Sequence, residues 1–265
     1  KQPDIGVFLD IAVQVCQVLT RIHARQIIHR DIKPANILVL PDSGQVQIID
    51  FSLSALATSG SQEAVAPGTL EGTLPYLSPE QTGRMNRPVD YRSDLYALGV
   101  SLFELLTGRL PFSANHPLEW VHAHLAQEAP DLRTIRPDVP EVLTAVILKL
   151  LAKMAEERFP SAYSLQKDLE RCREQWREHR SIEPFPLATA SAQGAYEPAP
   201  DPDDIIGPDN HAIDNDDNGQ SAVAATGGSV IQSKVVTVEA GKEPQNETPA
   251  NDPTTPDANA NLTVD

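Results

Sequence analysis

Three scarcities frame this chain. Its 265 residues include two cysteines and 5 % aromatic side chains, and 37 acidic residues outweigh 21 lysines and arginines for a net charge of −16. The cysteines, Cys16 and Cys172, lie far apart in segments of helical pattern. They exclude a disulfide framework and fit small core roles in a reducing compartment, so the expected location is cytoplasmic. Without a basic stripe, a nucleic-acid-binding surface is excluded. No run of about 18 apolar residues occurs and no secretory leader precedes the first helical pattern, so neither a membrane span nor export is expected. The chain opens on Lys1, not on methionine, and reads as a piece of a longer protein.

Charge is unevenly spread. Residues 1–184 carry 23 acidic and 19 basic side chains, a net of −4, whereas residues 185–265 carry 14 and 2, a net of −12. The second region is rich in Pro, Asp, Asn, Ala, Gly and Thr and poor in large apolar residues. It cannot bury enough surface to offset chain entropy, and disorder is the expectation. One apolar patch there, Val230-Ile231 with Val235–Val238, has strand propensity but no neighbour to pair with. The expected organisation is a folded domain over 1–182 and an acidic tail over 183–265.

Within the domain, Val7, Phe8, Ile11, Val15, Val18, Leu19 and Ile22 recur at three- and four-residue steps, which predicts a helix over 5–23 with one buried stripe. Short β-branched runs at 37–40 and 46–49 flank Pro41-Asp42-Ser43-Gly44, the chemistry of a hairpin turn. Residues 52–73 are polar and lack periodicity. Helical patterns follow at 91–107 (stopped by Gly108), 117–127, 139–155 and 161–178, the last with Ser161 at its N-cap. There is no internal repeat.

Chemistry concentrates in three short stretches. In His29-Arg30-Asp31-Ile32-Lys33-Pro34-Ala35-Asn36 a carboxylate, an ammonium and an amide sit on a loop between helix and strand, the acid, base and amide spacing that phosphoryl transfer uses. Asp50-Phe51-Ser52 follows the second strand, nineteen residues after Asp31. The third is Gly72-Thr73-Leu74-Pro75-Tyr76-Leu77-Ser78-Pro79-Glu80. A turn whose polar residues merely cap their neighbours explains the first stretch alone, and loses once the other two stand beside it. Together they closely resemble the eukaryotic-type serine/threonine protein kinases: the catalytic loop, the Asp-Phe-Gly metal motif and the end of the activation segment. The order helix, hairpin, loop, four helices is similar to that family's C-lobe, so the fold class implied is mainly α, the C-lobe of an α+β kinase fold without its N-lobe.

The resemblance assigns roles. Asp31 accepts or orients the proton of the attacking substrate hydroxyl, and Lys33 sets a positive charge beside the transferred phosphoryl group. Asn36 and Asp50 supply oxygens to Mg²⁺, a hard cation that prefers them. Leu38 matches the position beneath the adenine of ATP, and Thr73 contacts Asp31 and Lys33 and marks a Ser/Thr acceptor. ATP and Mg²⁺ are thus the implied cofactors, and the implied partner is a protein substrate bearing a Ser or Thr acceptor. His29 is assigned packing, with Phe51 against it in the interior, and not acid–base work. Arg30 pairs with a phosphorylated activation loop, for which Thr58, Ser59, Ser61 and Thr69 are candidates. Glu80 is expected to pair with Arg158, and Asp94 to hold the catalytic loop by its backbone amides. The other histidines (His23, His116, His122, His124, His179) show no metal-ligand spacing.

Two departures stand out. Ser52 replaces the glycine of Asp-Phe-Gly, giving up access to positive φ and restricting the segment's flipping without removing the metal ligand. No Gly-x-Gly-x-x-Gly loop precedes His29, and no strand lysine with a helix glutamate partner can be assigned. Half of a nucleotide cleft is therefore lacking, and these 265 residues alone are expected to be inactive. A non-catalytic scaffold is the alternative. Residues 78–96 and 182–187 further resemble the kinase module of large bacterial and fungal multi-sensor signalling proteins, which implies further signalling domains in the parent chain.

Overall fold

The computed structural model describes residues 2–56 and 72–189. Helix α1 (Ile5–Ala24) starts where the Asp4 carboxylate accepts the Gly6 amide at 2.8 Å, satisfying one of the amide groups a helix start leaves unpaired. Its inward face is Phe8, Leu9, Ala12, Val13, Val15, Cys16 and Leu19. Val7, expected in the buried stripe, is 52 % exposed, and Ile11, Val18 and Ile22 sit at the stripe's edge. The stripe is centred one position away from Val7 because α1 packs against both α5 and β3, and that pair of neighbours sets its rotation.

Strand β1 (Ile27–Ile28) follows, then the hairpin of β2 (Ile37–Val39) and β3 (Val46–Ile48), with Ile37 opposite Ile48 and Val39 opposite Val46. The hairpin matches the predicted turn. Strand β4 (Ala55–Leu56) pairs antiparallel with β1 and falls in the stretch read as unstructured. Two-residue strands carry no alternation for a sequence pattern to detect.

Helix α2 (Arg92–Thr107) is buried on nearly every side and ends at Gly108, in the left-handed region at φ 73. Around it stand α3 (Pro117–Ala126), α4 (Glu141–Leu150) and α5 (Ala162–His179). Ser161 caps α5 as the sequence predicts, and Ser164 returns the bond to the Ser161 amide in a reciprocal capping box. Helix α4 is shorter than the predicted 139–155. The Arg158 guanidinium takes the carbonyls of Ala152 (2.9 Å) and Lys153 (3.1 Å), so the chain beyond Leu151 leaves the helix to satisfy a side chain instead.

Cys16 and Cys172 are both buried and unpaired. Burial, with Glu170 nearby, raises the Cys16 thiol, and burial likewise pushes Cys172 up to about 12, so both are inert protonated packing groups. Helix α1 is long and apolar enough to cross a membrane, at 20 residues and mean hydropathy 1.6, although no unbroken apolar run occurs. Half of that window is buried in the domain, where its side chains form the core with α5.

After α5 the chain reverses at Arg180 (φ 55) and runs back along the helix. The Glu183 amide donates to Gln175 Oε1, Phe185 lies under the Arg171 guanidinium at 4.2 Å, and the Ala188 amide donates to Asp168 Oδ2. Packing therefore runs past the expected boundary at 182, because Phe185 and Leu187 cover apolar surface on α5. The tail's apolar patch, and every residue from 190 onward, lies outside the described residues.

Candidate active site

Asp94, wholly buried on α2, organises the loop after β1. Its Oδ2 accepts the His29 amide (2.9 Å) and its Oδ1 the Arg30 amide (2.8 Å), and His23 Nε2 lies 2.9 Å from Oδ2. Amide groups inside a fold need partners, and a buried carboxylate needs donors; here each satisfies the other. Arg30 turns through φ 67, and Asp31 follows it, buried at 7 % exposure. His29 is wholly buried: Nε2 meets the Ile49 carbonyl at 3.1 Å, and Nδ1 receives the Asp31 amide at 3.3 Å. Both ring nitrogens are thus occupied by the backbone, in keeping with a packing role. Phe51 stacks edge-on at 4.7 Å, yet it is 43 % exposed and not interior as expected, because no described element covers its outer side.

The structure gathers Asp31, Lys33, Asn36 and Thr73. Lys33 Nζ donates at 2.6 Å to both Asp31 Oδ2 and Thr73 Oγ1. Thr73 donates its hydroxyl (2.8 Å) and its amide (3.2 Å) to Asp31 Oδ1. Asn36 Nδ2 donates to Asp31 Oδ2 at 3.1 Å and to the Asp31 carbonyl at 2.8 Å. Partial burial pushes the Asp31 carboxyl upward; the hydrogen bonds from Lys33, Thr73 and Asn36, with the Lys33 charge, outweigh it and hold the group below the usual carboxylate range. At neutral pH the site presents an ionised carboxylate with its orientation fixed. Gly72 makes the approach of Thr73 possible: it sits at φ 121, and a Cβ there would meet Leu77 Cδ1 at 3.1 Å.

Asp50 follows β3 at the same end of the hairpin, where the Ile49 amide donates to the Asn36 carbonyl at 3.0 Å. Its carboxylate is exposed and held below its ordinary value first by the Ser52 hydroxyl and then by the Ser52 amide. The donor set fits a magnesium ion. Asn36 spends its NH₂ on Asp31, which leaves its amide oxygen for a cation, and Asp50 keeps Oδ2 clear of any described hydrogen bond. Leu38 is half-buried on β2, two residues after Asn36.

Several positions that the sequence reading missed or left generic support this end of the molecule. Gln81 donates to the Arg30 carbonyl (2.9 Å) while its Oε1 takes the amide and hydroxyl of Ser78, tying the catalytic loop to the Ser-Pro-Glu turn. His124, assigned only a generic surface or core role, joins α3 to that segment through the Leu74 carbonyl at 2.9 Å and the Tyr96 hydroxyl at 3.0 Å. Burial pushes it down to about 4, so the ring is neutral. Tyr76 donates to Glu104 at 2.5 Å. Tyr76 belongs to the motif stretch 72–80, but its contact with Glu104, like those of Gln81 and His124, has no periodicity or spacing signal. The Glu80–Arg158 pair forms as expected, bidentate at 2.7 and 2.9 Å and almost fully buried, with Ser93 donating to Glu80 as well.

The sequence profile described as protein kinase domain matches residues 6–169. The chain belongs to the protein kinase family. Among relatives of this kinase chain, it is 39 % identical over 168 residues to the serine/threonine-protein kinase Pkn1 of Myxococcus xanthus, covering 62 % of this chain and 24 % of that protein. It is 38 % identical over 167 residues to the serine/threonine-protein kinase PknB of Mycolicibacterium smegmatis, covering 63 % and 26 %. It is 32 % identical over 234 residues to the hybrid signal transduction histidine kinase G of Dictyostelium discoideum, covering 63 % of this chain and 7 % of that protein. The chain thus spans about a quarter of the length of Pkn1 and PknB.

Proposed function

We propose that the chain carries the C-lobe, residues 1–182, of an ATP- and Mg²⁺-dependent serine/threonine protein kinase, followed by an acidic tail over 183–265. The reaction is transfer of the ATP γ-phosphate to a Ser or Thr hydroxyl of a protein substrate in signal transduction. The observation that carries this reading is the convergence of Lys33, Asn36 and Thr73 on the two oxygens of Asp31.

Asp31 orients the acceptor hydroxyl and takes up its proton; its depressed pKa makes orientation the larger part of the work. Lys33, within reach of Asp31 and Thr73, faces the transferred phosphoryl group, and Thr73 fixes the acceptor side. Asn36 and Asp50 would hold Mg²⁺, which when bound would offset the negative charge of the ATP phosphates. Leu38, half-buried on β2, would line the adenine side of an ATP site. Arg30, whose buried Nε has no partner among the described residues, suits a phosphorylated residue of the activation loop. Its candidates Thr58, Ser59, Ser61 and Thr69 lie outside the described residues.

The glycine-rich loop and the lysine–glutamate pair that grip the other phosphates are not among these 265 residues, so the chain alone is proposed to be inactive. A multi-domain parent agrees with the 7 % share of the hybrid signalling relative. In the intact parent, Asp31→Asn or Asp50→Ala should abolish protein phosphorylation with the fold retained. Wild-type turnover in either variant sinks the assignment.

A second reading, a non-catalytic scaffold, draws on Val39, Ile49 and Phe51, exposed apolar residues at the site's edge. It predicts that Asp31→Asn leaves the parent's signalling unchanged.

A further inference from the structure

We propose that Ser52 is a positioning residue that fixes the carboxylate of Asp50 for its cation. The inference rests on the metal-binding reading of Asp50 given above. The Ser52 hydroxyl donates to Asp50 Oδ1 at 2.7 Å, and the Ser52 amide points at the same oxygen at 3.4 Å. Both donors share one carboxylate oxygen, and no described hydrogen bond or ion pair reaches Oδ2. The result is a carboxylate with one occupied oxygen and one presented.

The backbone explains why serine is accepted where the family carries glycine. The left-handed residue of this turn is Asp50, at φ 63; Ser52 is not among the residues of positive φ. A side chain at 52 therefore meets no backbone penalty, and the flexibility that glycine would bring is not what this turn uses. The hydroxyl is a gain in its place. Asp50 is exposed, and among the described residues its carboxylate is hydrogen-bonded by Ser52 alone, so the Ser52 hydrogen bond chooses its rotamer. A ligand carboxylate fixed in this way gives up less freedom on binding a cation, and outer partners of metal ligands commonly change affinity by about 10- to 100-fold. At so exposed a site the lower end applies.

The test uses the full 265-residue chain and Mn²⁺, whose paramagnetism broadens nearby NMR signals. Ser52→Ala should weaken Mn²⁺ binding at the Asp50 and Phe51 amides about tenfold. It should also convert the Asp50 α–β proton couplings from those of one rotamer to an average. Ser52→Thr, which keeps the hydroxyl, should restore both readouts. Wild-type Mn²⁺ affinity and couplings in Ser52→Ala overturn the proposal, as does a folded Ser52→Thr that rescues neither. Asp50→Ala separates the two levels. If Mn²⁺ broadening persists in Asp50→Ala, or is absent from the wild type, the metal-binding reading of Asp50 fails. The couplings, which need no metal, still report whether Ser52 sets the rotamer.

Discussion

Asp31 and Asp94 are two carboxylates serving the same loop in opposite ways. Asp94 is wholly buried on a helix and spends its oxygens on the amides of His29 and Arg30 and on His23. Asp31 is 7 % exposed, and its partners are the side chains of Lys33, Asn36 and Thr73 together with the Thr73 amide. Nothing in residue type separates the two. What separates them is how fully the donors enclose the carboxylate: Asp94 is closed off completely, whereas Asp31, held mainly by polar side chains, keeps a small exposed edge. Glu80, enclosed by Arg158 and Ser93, lies with Asp94, and the exposed Asp50 lies at the other extreme.

The contrast can be broken at several points. The largest effect is expected at Arg158→Leu, which strands Glu80 as a buried, unpaired charge. Unfolding free energy should fall by about 3–5 kcal/mol in a urea titration. A loss under about 1 kcal/mol would mean that the pair contributes no more than a surface one.

Next comes acid. The folded His124 is held down to about 4 while the unfolded chain protonates near 6.5. Between those values only the unfolded state gains a proton, so stability should fall as pH drops from 6.5 towards 4, by about 3 kcal/mol in all. His124→Phe should flatten that slope. The depressed carboxyls of Glu80 and Asp31 act in a lower window: their contribution is present above the ordinary carboxylate range and is lost as pH falls through their lowered folded values.

Asp94→Asn should cost about 2 kcal/mol, since an amide has one oxygen where two backbone amides need acceptors. Asp31→Asn should be the mildest, within about 1 kcal/mol of wild type by denaturation. If the two aspartate variants are equally destabilised, the division between scaffold and reactive carboxylates is wrong.

Much of this was legible in the chain, for identifiable reasons. Helix α1, the β2–β3 hairpin and the Ser161 cap rest on local signals: a three-to-four step, a Pro-Asp-Ser-Gly turn and a serine before an apolar run. Motif spacing brought out Asp31, Lys33, Asn36, Asp50 and Thr73, four of which the fold draws into one hydrogen-bonded cluster. Long-range decisions were not legible. Helix α4 stops early because Arg158 claims the carbonyls of Ala152 and Lys153 just beyond it, and β4 exists because β1 lies beside it. The link from His124 to Leu74 joins residues fifty positions apart with no spacing rule between them.

The most direct test of the central claim is phosphoryl transfer from ATP to a Ser/Thr protein substrate by the intact parent kinase, wild type against Asp31→Asn, with folding checked by the same denaturation curve. The account predicts a folded variant within about 1 kcal/mol of wild type and no transfer. Transfer at the wild-type rate from a folded Asp31→Asn protein would contradict it.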